Sequence, residues 1–584
     1  MILNLLHRPP DRDEHMPMFE LQQRFAHELG LKVTVLLDLV DLRAPAKVAL
    51  VKGYARDYGD EIGIWFGPQS LQYADALSQT EPFIWLYPAD EKRRIIGEFL
   101  TAFRAAFDAD PVSVGAYHLD AGTIRILHEL CPSVQIAVAG CFEEGVRVFH
   151  GCNNSWYLFN EGMPWGPWYP SRGHSLRPAQ AADDWAGIVA VPHLTRDLVL
   201  SYEGRNDFFA THPANVQRGM ANQGENQAYT FNLIDQHRLQ ERYNDGFSYC
   251  HVFVSAGWLS GNPNIQDTDE VTQGLYREML AYFVALRERG ELVDLTMREF
   301  AGWYKRTIPI GAPQVALAKE VLYGSGKHYF WYLDPYCRVL VDATQGGAIG
   351  DLRPYAGQVA GETGPDQPAT MYGSYPYVIQ SQHRSGNAHH FADGSRTTLQ
   401  VMHAGETLDL ARVRTTVADI VRNEAGTRVR LTPAELCFAS GLSACIETVY
   451  HFRGGGMIEI TRRLTSLSDP QVRLCVREYV KGCVGVTEYP QDLSNITLRV
   501  EGADPQALTY AYRSRAASTP GATAVIADIP QANTRLSLSS TDGPYQRGHI
   551  VEGFLFNPYF TLALDHELAL GEELTTCLSL SQLA

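Results

Sequence analysis

Several features that mark other protein classes are missing from this chain. No apolar run reaches the roughly eighteen residues of a membrane-crossing helix, so no membrane span is expected. The opening residues, Met1-Ile2-Leu3-Asn4-Leu5-Leu6-His7-Arg8-Pro9, lack a basic leader and a small-residue cleavage site. The sequence as it stands therefore reads as cytoplasmic, or as secreted or periplasmic if a leader has been removed. Ten cysteines are scattered singly with no C-x-x-C pair. That argues against a disulfide framework or a zinc site and for buried thiols. Positive charge is scarce: a formal net charge of −17 speaks against nucleic acid and anionic membranes as partners. Neutral glycans or small molecules fit that balance, and a homo-oligomer is compatible with it. No glycine-rich nucleotide loop follows the first strand-like run. Gly346-Gly347-Ala348-Ile349-Gly350 lacks the Lys-Ser/Thr ending of a phosphate loop and reads as a turn.

What remains is a globular composition, 45% apolar and 20% charged, over 584 residues. That length exceeds what one core organises, so two or three domains are expected. From Met1 to about residue 310, apolar runs alternate with helical spacing. Strands are expected at Ile2 to Leu6, Val33 to Leu39, Glu61 to Phe66, Pro82 to Leu86, Val112 to Tyr117, Val134 to Ala139, Gly187 to Val191, Tyr249 to Val254 and Leu292 to Leu295. Helices are expected around Met18 to Leu29, Glu91 to Phe107, the stretch ending at Leu130, Val271 to Arg289 and Met297 to Tyr304. Such alternation predicts an α/β fold, an irregular (β/α)7-8 barrel over residues 1–310, with an open doubly wound sheet as the alternative. Beyond it, short strand-like runs bounded by Gly, Asp, Asn and Pro predict an all-β sandwich over residues 311–584.

In a parallel barrel the active site lies at the C-terminal ends of the strands. His7, Asp38, Asp41, Glu61, His118, Asp120, Glu143, Glu144, His193 and Asp197 all fall near expected strand ends. One stretch concentrates this chemistry. After the apolar run ending at Ala139 come Glu143 and Glu144, then Trp156, Tyr157, Trp165, Trp168 and Tyr169 among Gly162, Gly166, Pro164, Pro167 and Pro170. The prolines and glycines forbid a long helix or regular strand, so an aromatic loop is expected. Flat rings beside carboxylates suit a sugar, whose ring faces stack while its hydroxyls seek acids and amides; the alternative is that these rings form the loop's own small core.

The order of these signals resembles the glycoside hydrolase and polysaccharide deacetylase superfamily, with its irregular β/α barrel. His7-Arg8-Pro9 is similar to the His-Gln-Pro opening of family 57 glycoside hydrolases, and Gly59-Asp60-Glu61-Ile62-Gly63 to their second motif. Cys141-Phe142-Glu143-Glu144 lies where their nucleophilic glutamate follows a strand. Arg8 stands where Gln is usual, and neither a Pro-Glu-Cys sequence nor the deacetylase Asp pair with His-x-x-x-His is present. The resemblance points to a sister family of either group.

That resemblance implies cleavage of a glycosidic bond in an oligo- or polysaccharide by two carboxyl groups. Glu143 or Glu144 is the expected nucleophile, since neighbours at a strand end point opposite ways and only one can face the mouth. Asp197 is the first choice of acid and Asp120 the second. His7, Asp38, Glu61, His118 and His193 would bind hydroxyls, and Trp156, Trp165 and Trp168 would stack on sugar rings. No cofactor or metal is expected on this reading. The alternatives are a metal-dependent deacetylase using His7, Asp11 or Asp13, His118 and His193 around a divalent ion, and a non-catalytic glycan-binding barrel.

Overall fold

A computed structural model describes residues 1–10, 13–67, 84–140, 162–203, 210–211, 227–254, 256–259, 269–359, 375–381, 395–486, 489–490, 496–509, 515–541, 545–554 and 557–583. The chain divides into two compact units, one spanning Met1–Ala312 and the other Pro313–Val359 with Tyr375–Ala584.

The first unit alternates strands and helices. They are β1 (Ile2–His7), α1 (Met16–Glu28), β2 (Thr34–Leu37), α2 (Leu39–Leu42), α3 (Pro45–Tyr58), β3 (Glu61–Trp65), α4 (Ala89–Phe107), β4 (Ser113–Gly115), α5 (Ala121–Leu130), β5 (Ile136–Gly140), β6 (Val189–Pro192), α6 (Gln227–Arg238), β7 (Tyr249–Phe253), α7 (Asp269–Glu288), β8 (Val293–Asp294) and α8 (Met297–Thr307). Local chemistry explains the boundaries. Pro45 opens α3, where its missing N–H is no loss, and Gly59 closes it in the left-handed conformation (φ 79°). Thr296 and Glu299 form a reciprocal capping box that starts α8. In α4, Ile95, Ile96, Phe99, Leu100 and Phe103 recur at helical spacing and are buried.

Two expectations need correction here. Ile84–Leu86 is a single 3-10 turn, not a strand, and α3 and α6 are helices that apolar spacing alone did not announce.

Eight parallel strands form one sheet, ordered β6-β5-β4-β3-β2-β1-β7, with β8 pairing β1. The sheet curls as a half-barrel, and its ladder stays open because β6 and β7 do not pair as strands. Its edges nevertheless meet just past β6. There the Thr195 amide donates to the His251 carbonyl (3.0 Å) and the His251 amide to Thr195 Oγ1 (2.7 Å). Leu6, Leu36, Trp65, Ile136, Val138, Val189, Val191, Tyr249 and Phe253 share one buried cluster with Met297, Phe300, Ala301 and Tyr304 of α8. That face of the sheet is therefore the inner one, and α8 fills its N-terminal end.

The second unit is a set of antiparallel sheets. A five-stranded sheet runs β13-β12-β11-β10-β9, from β9 (Gln314–Lys319), β10 (His328–Leu333), β11 (Arg338–Asp342) and β12 (Ala348–Arg353) to β13 (Ile379–Gln380). Six- and ten-stranded sheets follow. Along the strand Leu474–Gly482 every second residue is fully buried, the period of a strand packed on one face. Gly346 does close a turn (φ 61°), and a side chain there would strike the Leu410 carbonyl. Among the described residues, no helix is long and apolar enough to cross a membrane.

Candidate active site

Alternation along each strand decides which end-of-strand side chains share the inner face. Counting by two from the clustered residues places Arg8, Asp38, Tyr117, His193 and Phe253 inward, and His7 and His118 outward. Contacts agree with the count. The Arg8 guanidinium lies 5.9 Å from the centre of the Trp65 ring. His193 sits among Phe253 (4.8 Å between ring centres), Tyr117 (5.2 Å) and Trp65 (6.1 Å). These side chains come from the ends of β1, β3, β4, β6 and β7. They form a cationic and aromatic cluster at the C-terminal end of the curled sheet, in which Arg8 is half-buried and the rings are buried.

His7 instead reaches into the helix layer, where its Nε2 pairs with the Tyr276 hydroxyl of α7 at 2.7 Å. Burial lowers its pKa to about 3, so it stays neutral. His118 packs against Trp85 with the two rings nearly perpendicular (5.3 Å between centres). Burial, then the charges of His174 and Lys92, lower it likewise to about 3. Of the three histidines of the metal reading, His7 and His118 thus face outward and His193 inward. Among the described residues, no group of three His, Cys, Asp or Glu side chains could hold a metal ion.

Several expected acids carry structural work. Asp120 is the N-cap residue of α5, ion-paired with Lys92 (2.6 Å) and hydrogen-bonded by Thr123. On Asp197, three donors converge at 2.9 Å: the amides of Val199 and Leu200 and the Tyr229 hydroxyl. That is the pattern of a carboxylate anchoring a turn. Glu61 opens β3 instead of ending it, so it belongs to the N-terminal end of the sheet, where it accepts the Arg298 amide of α8 (2.7 Å). Glu143, Glu144 and Trp156 lie outside the described residues.

Asp38 and Asp41, directly after β2, form a different arrangement. Asp38 Oδ1 accepts the Asp41 amide and Asp41 Oδ2 accepts the Asp38 amide, a capping box that starts α2. Lys47 donates to Asp41 at 2.9 Å. Burial first, and then the neighbouring charge of Asp38, raise the Asp41 pKa to about 7 against the pull of Lys47. A carboxyl in that range can give up a proton near neutral pH.

His251 is a residue the sequence reading passed over. It shares the inner face with Tyr249 and Phe253. Its Nδ1–H donates to the Pro192 carbonyl at 2.5 Å, and Nε2 is left without a hydrogen-bond partner among the described residues. Burial lowers its pKa to about 4, so Nε2 is an acceptor. The period of Tyr249 to Phe253 was the available signal.

Trp165 and Trp168 are 5% and 2% exposed. Trp168 donates its indole N–H to the Ser175 carbonyl (2.8 Å) and bridges to Ala190 of β6. Its placement makes stability the first property a substitution would change. Trp168→Ala should cost about 3–5 kcal/mol. Chemical denaturation would measure it, and a variant as stable as the parent would return the ring to the pocket wall.

Residues 35–308 match the model of a domain of unknown function with solved structure, DUF3863. Among curated proteins, none matches. Among solved structures, the chain is similar to a Parabacteroides distasonis protein described as a glycoside hydrolase/deacetylase, with 16% identity and a TM-score of 0.48, over 64% of this chain and 89% of that one. It is similar to the 4-alpha-glucanotransferase of Thermococcus litoralis at 9% identity and a TM-score of 0.28, over 100% and 99% of the two chains. A Mycobacterium smegmatis protein described as a polysaccharide deacetylase matches at 14% identity and a TM-score of 0.31, over 52% and 90%. With scores this low, the site's own geometry has to carry the functional reading.

Proposed function

We propose that the first unit is a carbohydrate-processing enzyme, a glycoside hydrolase that cleaves an oligo- or polysaccharide at the C-terminal end of its curled sheet. One observation carries the reading. Trp65, Tyr117, His193, Phe253 and the Arg8 guanidinium converge on the inner face there, and the Asp38–Asp41 pair follows the strand between β1 and β3. The buried rings form an apolar floor beneath that end, and the half-buried guanidinium and the imidazole offer hydrogen bonds to sugar hydroxyls. Glycosidic cleavage also needs an acid and a carboxylate. Asp41 is our choice of acid in place of Asp197 and Asp120: it too is held, in a capping box and by Lys47, but its pKa is raised into the range where a carboxyl can give up a proton near neutral pH. Glu143 or Glu144 remains the nucleophile in this proposal.

Reducing-end release from neutral oligo- and polysaccharides, in the presence of excess chelator, tests it. Turnover should persist under chelation. His193→Ala should lower kcat/KM about two- to twelvefold, the worth of one neutral hydrogen bond of roughly 0.5–1.5 kcal/mol. Turnover that disappears on chelation and returns with a divalent metal would overturn the two-carboxyl mechanism. No turnover on any glycan would leave a binding barrel instead.

A further inference from the structure

The six-stranded sheet of the second unit has two unlike faces. On one, Glu478 reaches Arg462 of the ten-stranded sheet, and Leu399, Val401, Val476, Val480 and Leu564 are buried. Side chains alternate along a strand, so the intervening residues form the other face. Three strands build its middle: Arg396–His403, Leu474–Gly482 and Asn557–Leu568. Their register sets Arg396, Lys481 and Thr561 in one row, Thr398, Tyr479 and Ala563 in the next, and Gln400, Arg477 and Asp565 in a third.

The cations of this face are held differently. Asp565 takes Arg477 in a bidentate pair at 2.6 and 2.9 Å and holds His549 Nε2 at 2.8 Å, so that row is neutralised from within. Arg396 and Lys481 instead stand directly opposite each other on neighbouring strands, where like charges repel. Arg396 reaches Gln345 Oε1 at 3.5 Å and lies 3.9 Å from Asp409 Oδ2, too far for a hydrogen bond to that carboxylate. The Lys481 ammonium lies 4.9 Å from the centre of the Tyr559 ring. In a chain of net charge −17, two adjacent half-buried cations are a local reversal of sign. Their surroundings suit a flat ring. Thr398, Thr561 and Ala563 form a buried floor of small side chains, and half-buried Tyr479 and Tyr559 rise from the same face beside Lys481.

We propose that Arg396 and Lys481 bind the carboxylate of a uronate residue in an acidic polysaccharide, with Tyr479 and Tyr559 against its pyranose ring. A carboxylate between two cations replaces their repulsion by two attractions, and the guanidinium presents the fork that matches its oxygens. A neutral sugar leaves the repulsion in place, and an acidic peptide leaves the rings without a pyranose face. The inference does not rest on the catalytic reading, because every residue in it belongs to the second unit.

Calorimetric titration of the full chain with tetragalacturonate and with tetramannuronate tests the proposal. At least one should bind saturably, and more weakly as ionic strength rises. Lys481→Gln and Arg396→Gln should each weaken that binding about tenfold, the worth of one hydrogen bond to a charged group. Each change removes a repulsion at a half-buried position, so both variants should fold with thermal midpoints close to the parent's. Neutral cellotetraose, and tetraglutamate with its carboxylates but no sugar rings, should bind about tenfold more weakly than the uronate. No saturable binding of either uronate, undiminished binding by both variants, or equal binding of cellotetraose or tetraglutamate would each overturn the site. The readout is binding, so its failure is separable from a failure of glycan turnover in the first unit.

Discussion

Glu478→Ala should strip about 3–5 kcal/mol from the stability of the second unit. Glu478 lies in the six-stranded sheet and Arg462 in the ten-stranded one. The two side chains meet as a bidentate pair, Nε to Oε2 at 3.1 Å and Nη2 to Oε1 at 2.9 Å, each 1% exposed. Arg462 also donates to Thr448 Oγ1 at 2.7 Å, and its guanidinium lies 5.9 Å from the Tyr450 ring centre. Burial works against its charge, yet Glu478 keeps it fully protonated. The alanine variant would leave that charge in the interior with no opposite charge to meet it. Such a loss exceeds what the pair itself contributes, because desolvation has consumed most of the Coulomb gain. Hence Arg462→Met combined with Glu478→Leu should recover most of the loss. Scanning calorimetry on the single and double variants would measure both effects. A single variant within about 1 kcal/mol of the parent would mean that water reaches the pair.

The parallel half of the fold was legible because its strands are short apolar runs set between strongly periodic helices. The strand at Ile136–Gly140 and the helix at Ala89–Phe107 follow directly from that texture. Which side of the sheet a residue faces was not legible. A parallel sheet is covered on both faces, so Leu3 and Leu5 are as apolar and as buried as Ile2 and Leu6. Without a polar face there is no sign that His7 points to the helices and Arg8 to the mouth. Local signals for two acids were present in the sequence. Asp120-Ala121-Gly122-Thr123 is an N-cap sequence, and Asp38-Leu39-Val40-Asp41 has capping-box spacing. The raised pKa of Asp41 was not readable at all. It arises from burial beside Asp38, a property of packing that no spacing encodes.

The last expectation separates the acids of the proposed mechanism. Changing the true nucleophile, Glu143 or Glu144, to Gln should abolish turnover while binding persists, and the same change at its neighbour should matter little. Asp41→Asn should lower kcat/KM about 10²- to 10⁴-fold on glycans with poor leaving groups. A substrate whose leaving group needs little protonation should regain most of that rate. The pH profile gives a second readout. A general acid works while protonated, so wild-type activity should fall as pH rises through about 7, and the Asn variant should lose that alkaline limb. Stability should move with the same group. The folded pKa of Asp41 lies above its ordinary value of 3.8, so its contribution is fully present below about pH 4 and is lost as pH rises toward 7. The Asn variant should therefore gain on wild type over that window. If Asp41→Asn leaves the alkaline limb in place but shows the stability gain, Asp41 is a buried structural acid, and the proton donor must be sought elsewhere at the mouth.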